Sequence, residues 1–159
     1  MRAGPALMMI GGIVILAAWL GAALFIAAVV TPAAFAVLPT RALAGTLVGR
    51  ALPVLFAVGV VVGIAVLLMN RYVEGGRLVG GAAAVLFLAI GAANIVALRI
   101  SAMRAALGVP MESLDTADPR RIAFGRMHGL SVVLMGIGML GAFVALAALS
   151  RHLLSRSTA

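Results

Sequence analysis

Four stretches, Ala6–Val30, Ala51–Met69, Leu78–Leu98 and Gly129–Leu149, contain no formally charged residue. Each is roughly 19–25 residues long, and a helix needs about 20 apolar residues to cross a hydrocarbon core of about 30 Å. Inside lipid the backbone has no water to bond, so such segments satisfy their own N–H and C=O groups as helices. Composition points the same way: 65% of residues are hydrophobic and 10% charged, whereas soluble domains average about half and a quarter. A soluble chain of this size has too few polar residues here to cover itself. The expected fold is an all-α membrane protein, one four-transmembrane-helix bundle over residues 1–159 with helices at about 6–30, 41–69, 78–107 and 119–150.

Breakers and caps set the expected boundaries. The first stretch follows Arg2 and precedes a cleavable-looking Ala34-Phe35-Ala36, but its apolar run exceeds a signal peptide's h-region. It is read as the first membrane helix. Proline removes a helical donor and crowds the preceding turn, so Pro32 and Pro39 are expected to kink or end it. Thr40 can cap a second helix from Arg41, and Pro53 should bend that helix. Asn70 to Arg77 reads as a tight polar hairpin with Tyr72 at the interface. Helix three meets no breaker before Gly108 and Pro110, so it extends beyond the lipid. Asp118-Pro119 is an N-cap followed by proline at the first helical position, so helix four begins outside the lipid too.

The net charge is +8, and every basic residue is arginine. The arginines flank the apolar stretches, where they meet phospholipid headgroups rather than form the clustered basic face of a nucleic-acid binder. Membrane lipids are the expected partners, and nucleic acid is not. Four crossings put both termini on one side, with Arg2, Arg71, Arg77, Arg151 and Arg156. Arg41, Arg50, Arg99, Arg104, Arg120, Arg121 and Arg126 fall opposite, and the two sets are too evenly matched to orient the chain.

Small residues mark where helices in lipid pack closely. Gly45/Gly49, Gly59/Gly63, Gly125/Gly129 and Gly138/Ala142 are spaced four apart. Packing within the bundle is the first explanation, and a homo-oligomer or a larger membrane complex the second. Trp19, in the middle of helix one, is expected to pack rather than sit in the interfacial belt.

Polar residues within the spans nominate a binding site. Asn94 is expected to make an interhelical hydrogen bond or to contact a ligand. His128, Ser131, Met135 and Met139 share one helical stripe, and imidazole with thioether suits a soft ion such as Cu(I). A surface hydrogen bond for the histidine and a packing role for the methionines are the alternatives. Arg41, Arg50, Arg99, Arg104 and Arg126 gather where helix four enters, a face suited to an anionic headgroup or solute. Glu112, Asp115 and Asp118 in the same loop are available to neutralise some of them. Cysteine is absent, which excludes disulfides and thiolate chemistry. Phosphate-loop, zinc-protease and nucleophile-elbow motifs are missing, and no carboxylate lies within a span, so neither an enzyme nor a bound cofactor is expected.

One run, Trp19-Leu20-Gly21-Ala22-Ala23-Leu24-Phe25, continues to Pro32, Phe35, Leu38-Pro39, Arg41, Ala44-Gly45 and Pro53. With Asn94 and Phe124-Gly125-Arg126-Met127-His128-Gly129-Leu130-Ser131, it resembles the transmembrane protein 205-like family over nearly the whole chain. The resemblance implies a four-helix domain of a bacterial inner membrane. The family's animal relative is associated with platinum-drug resistance, which suggests export or trafficking. The proline-arginine pair that eukaryotic relatives often show soon after the asparagine is replaced here by Leu98-Arg99, and their long loop between helices three and four is shortened. Together these readings give a bundle that binds or helps export a small solute, soft ion or lipid. The rival is an accessory subunit of a membrane complex.

Overall fold

The computed structural model describes residues 3–73 and 75–157. Arg2 and Glu74 lie outside them, as does the side chain of Arg156. The chain is an all-α bundle of four helices, each long and apolar enough to cross a membrane. It is a multi-pass membrane protein. The first helix comprises α1 (Ala3–Phe25), a π-helical turn (Ile26–Val30) and α2 (Thr31–Val37). It is followed by α3 (Arg41–Val73), α4 (Gly76–Leu107), a 3₁₀ turn (Met111–Ser113) and α5 (Pro119–Ser157).

The first helix therefore runs past Pro32 rather than stopping near Val30. The Thr31 N–H bonds to the Ile26 carbonyl, the five-residue span of a π turn. The wider turn falls where a proline ring would otherwise meet the Ala28 carbonyl. The helix ends instead at Leu38, whose backbone is extended ahead of Pro39. Thr40 caps α3 as expected, its Oγ1 accepting the Leu43 N–H at 3.2 Å. Pro53 is carried inside α3. At the far end of α4, Gly108 adopts φ +65°, a left-handed cap that side chains with a Cβ resist. The Asp118 carboxylate then takes the Arg120 N–H at 2.8 Å, and α5 begins at Pro119.

Each helix packs against two neighbours: α1 against α3 and α5, and α4 against α3 and α5. One end of the bundle is marked by Gly12 of α1 against Met69 of α3 and Leu149 of α5. The glycines show how tight the contacts are. A Cβ at Gly63 would lie 3.0 Å from the Phe87 side chain, and one at Gly141 would lie 2.9 Å from the Ala82 carbonyl oxygen. Gly138 similarly faces Ile90. The core is built on Met9, Leu16, Phe56, Leu86 and Leu149, all fully buried. Outside it, large side chains such as Leu7, Val37 and Leu88 are exposed around the bundle. Apolar surface this continuous suits lipid and would be an association site in water.

Trp19 belongs to the core, and its indole N–H donates to the Leu55 carbonyl at 2.9 Å. A separate small cluster of Ala34, Ala44 and Val48, flanked by Leu38 and Leu52, fastens α2 to the start of α3. That junction forms one wall of a groove at the opposite end from Gly12.

Candidate ligand groove at the α2–α5 end

The groove opens where α2 ends, α3 begins, α4 ends and α5 begins. Its volume is about 650 Å³, within the range of about 300–1,000 Å³ common for small-molecule sites. Thr31 and Phe35 contribute from α2, and Arg41, Gly45, Val48, Gly49, Arg50 and Leu52 from α3. The end of α4 supplies Ala97, Ile100, Ser101 and Arg104, the 3₁₀ turn Glu112, and α5 Phe124, His128 and Ser131. Apolar walls with a few converging polar groups suit an amphipathic ligand better than a bare ion.

Arg104 is the centre of the arrangement. Its Nη1 donates to the Gly45 carbonyl at 2.7 Å, across 59 positions of sequence. The guanidinium fills the notch left by Gly45 and Gly49, where an added Cβ would lie 3.0 and 3.1 Å from its nitrogens. Its carbon stands 4.9 Å from the centre of the Phe124 ring, a cation–π distance. Phe124 stacks in turn on His128, with centroids 6.2 Å apart and planes within 7°. The two rings are four residues apart on α5 and so share a helical face. Phe124 thus links the Arg104 guanidinium and the His128 ring along the groove.

Charge in the groove is left unmatched. Among the described residues the single ion pair joins Arg120 to Asp118, at 2.7 Å. The arginine-rich face therefore is not neutralised by the loop carboxylates in the way the sequence suggests. Asp118 is engaged by the arginine two residues along, which approaches with both Nε and Nη2. Those bonds hold the Asp118 carboxyl down at about 2, below the usual carboxylate range. Asp115 instead accepts the Ala117 N–H at 2.7 Å, shaping the turn. Glu112 lines the groove without pairing with Arg41, Arg50 or Arg104. Ser131 is 6% exposed, and its hydroxyl has no hydrogen-bond partner among the described residues.

Of the binding residues nominated by sequence, His128, Ser131, Arg41 and Arg50 come together in the groove. Arg126 is exposed and does not line it. Asn94 lies nearly one turn deeper than Ala97 on α4, outside the lining. The interhelical hydrogen bond expected of Asn94 is not formed: its Oδ1 is buried without a partner. Met135 and Met139 pack in and against the main core rather than lining the groove with His128. No group of three His, Asp or Glu residues suited to a metal ion occurs among the described residues.

The motif residues divide by position. Gly45 seats Arg104, Phe35 lines the groove, and Pro53 is partly buried within α3. Gly21, Phe25, Pro32 and Pro39 are exposed, and Gly129, like Gly125, has open space where a Cβ would stand. Sequence reasoning missed the role of Glu112 as a groove residue and of Phe124 as the ring between Arg104 and His128. The i, i+4 spacing of Phe124 and His128 was the available signal.

The profile of a family described as Domain of unknown function (DUF4149) matches residues 14–111. That region covers α2, α3 and α4, most of α1, and the first residue of the 3₁₀ turn. No curated protein and no solved structure matches the chain.

Proposed function

Since the chain belongs to the DUF4149 family, whose description assigns no activity, we propose a function from the groove itself: non-catalytic binding of the anionic head of a membrane amphiphile. The observation carrying this reading is the partly buried, carboxylate-free guanidinium of Arg104, held against Gly45 and Phe124. A charge near hydrocarbon is costly without a counter-charge, and Arg41 and Arg50 add to the demand for an anion. Guanidinium groups match phosphate oxygens with paired donors. Val48, Leu52 and Ile100 offer the chain of the same ligand an apolar wall.

Both termini then face one side of a bacterial inner membrane, with the groove at the other side. The resemblance to the transmembrane protein 205-like family is compatible with a binding step that assists export. A single copy offers one bundle, and alternating access opposes two repeats or bundles, so transport calls for an oligomer. A soft ion held by His128, Met135 and Met139 is a separate reading that finds less support, because both methionines pack in and against the core away from the groove.

The test is lipid retention. Wild-type protein purified in mild detergent should keep phosphatidylglycerol through native mass spectrometry, and Arg104→Gln should lose it about ten-fold or more. Equal retention by both proteins rejects the reading.

A second reading, as an accessory subunit, draws on Gly125, Gly129 and Gly136 of α5 and Gly11 and Gly21 of α1. Each is open at its Cβ position, as a close helix partner requires. Stoichiometric co-purification with one membrane protein, abolished by Gly129→Leu, supports this reading; its absence rejects it.

A further inference from the structure

We infer that the groove's ligand is an aminophospholipid, its phosphate held by the arginines and its primary ammonium by Glu112. The inference rests on the lipid-binding reading and specifies the headgroup. Its starting point is a contrast within one loop. Asp118 forms a two-pronged pair with the nearest arginine, at 2.7 and 3.1 Å. Glu112, six residues earlier, borders a cavity that three arginines also border, yet joins none of them. The opposite charges are held apart around a space of about 650 Å³.

An anion alone would answer the arginines and be repelled by Glu112. A ligand with a phosphodiester beside an ammonium answers both. Glycerophospholipids with ethanolamine or serine heads carry those groups, and their acyl chains require a wall such as Val48, Leu52, Ala97 and Ile100. Ser131 adds an independent indication: it is 6% exposed and its hydroxyl borders the same space, where a phosphate oxygen would accept its proton. A choline head fits less well, because its quaternary nitrogen has no N–H to give a carboxylate.

The test uses the full chain in mild detergent with native mass spectrometry. The probes are phosphatidylethanolamine, phosphatidylglycerol and phosphatidylcholine with matched acyl chains, and soluble phosphoethanolamine. Wild-type protein should retain phosphatidylethanolamine several-fold better than phosphatidylcholine. Glu112→Gln should lower ethanolamine-lipid retention about ten-fold while leaving phosphatidylglycerol equal or tighter. Circular dichroism of E112Q should stay helical, since Glu112 is exposed and makes no hydrogen bond or ion pair among the described residues. If E112Q changes the two lipids equally or not at all, the headgroup assignment is overturned while the anion reading stands. If wild-type protein retains no lipid, both fall. Binding of soluble phosphoethanolamine as tight as that of the diacyl lipid overturns the lipid as ligand in favour of a free phosphate ester.

Discussion

The indole of Trp19 lies against the bare backbone of Gly59, so close that a Cβ there would stand 2.6 Å from the ring. The same ring bonds one turn earlier on α3, at the Leu55 carbonyl. A tryptophan in mid-span thus finds its polar partner in the neighbouring main chain instead of at the water interface, and glycine makes the approach possible.

This contact sets a stability prediction. Trp19→Phe keeps most of the ring and loses the hydrogen bond, which should cost about 1 kcal/mol. Gly59→Ala forces the indole to move and should cost about 1–3 kcal/mol. Denaturant titration in detergent micelles gives both values. Because Trp19 is the chain's one tryptophan, its emission reports the displacement in the glycine variant directly. Unshifted emission in Gly59→Ala would contradict the close contact.

At the groove, the double substitution Gly45→Ala/Gly49→Ala fills the notch in which Arg104 rests. The guanidinium charge remains but its seat does not. Phosphatidylglycerol retention should fall toward that of Arg104→Gln while global stability changes by less than about 1 kcal/mol, because a flexible side-chain end can withdraw. Retention equal to wild type would show that the seat is dispensable.

His128→Ala removes the ring that stacks on Phe124. Lipid retention should weaken about two- to ten-fold, the worth of an aromatic pair of about 0.5–1.5 kcal/mol. Helical content should be unaltered. A loss of Cu(I) retention with lipid retention intact would instead favour a soft-ion role for the histidine.

The cap of α5 carries a pH signature. Asp118 is held at about 2 by its bonds to Arg120, below the ordinary carboxylate value of 3.8. A depressed carboxyl stabilises the folded state above its unfolded pKa and loses that contribution as pH falls through its folded value. The cap should therefore weaken between about pH 4 and pH 2, not near neutrality. Carbonyl-carbon NMR should place the Asp118 midpoint near 2, and Arg120→Ala should return it toward the usual range.

The spans were legible because lipid asks for long uncharged runs, and Thr40 and Asp118 announced helix starts through side-chain oxygens that reach nearby backbone donors. The path through Pro32 was not, since hydrophobic periodicity carries no mark of one widened turn. Within the groove, arginine clustering and the His128–Ser131 spacing were visible along single helices. The seating of Arg104 on Gly45 was not, because it depends on how α3 and α4 align across 59 positions. The four-residue glycine spacing announced closeness, but not that an arginine would be the close neighbour. Asn94 shows the converse limit: its polarity was plain, and its orphaned oxygen emerged only from packing.

The π turn at Ile26–Val30 has a bearing on how residue positions can be compared or engineered. A wide turn is in effect one extra residue in an α-helix, and one residue corresponds to about 100° of rotation. Deleting a single alanine, Ala27 or Ala28, would turn the wide turn into a regular α turn and leave Thr31 and Phe35 facing the cavity, whereas a deletion in the regular part of α1 would swing both by roughly that angle. A homologue one residue shorter here would accordingly match this chain's groove only if a gap were inserted inside a continuous helix.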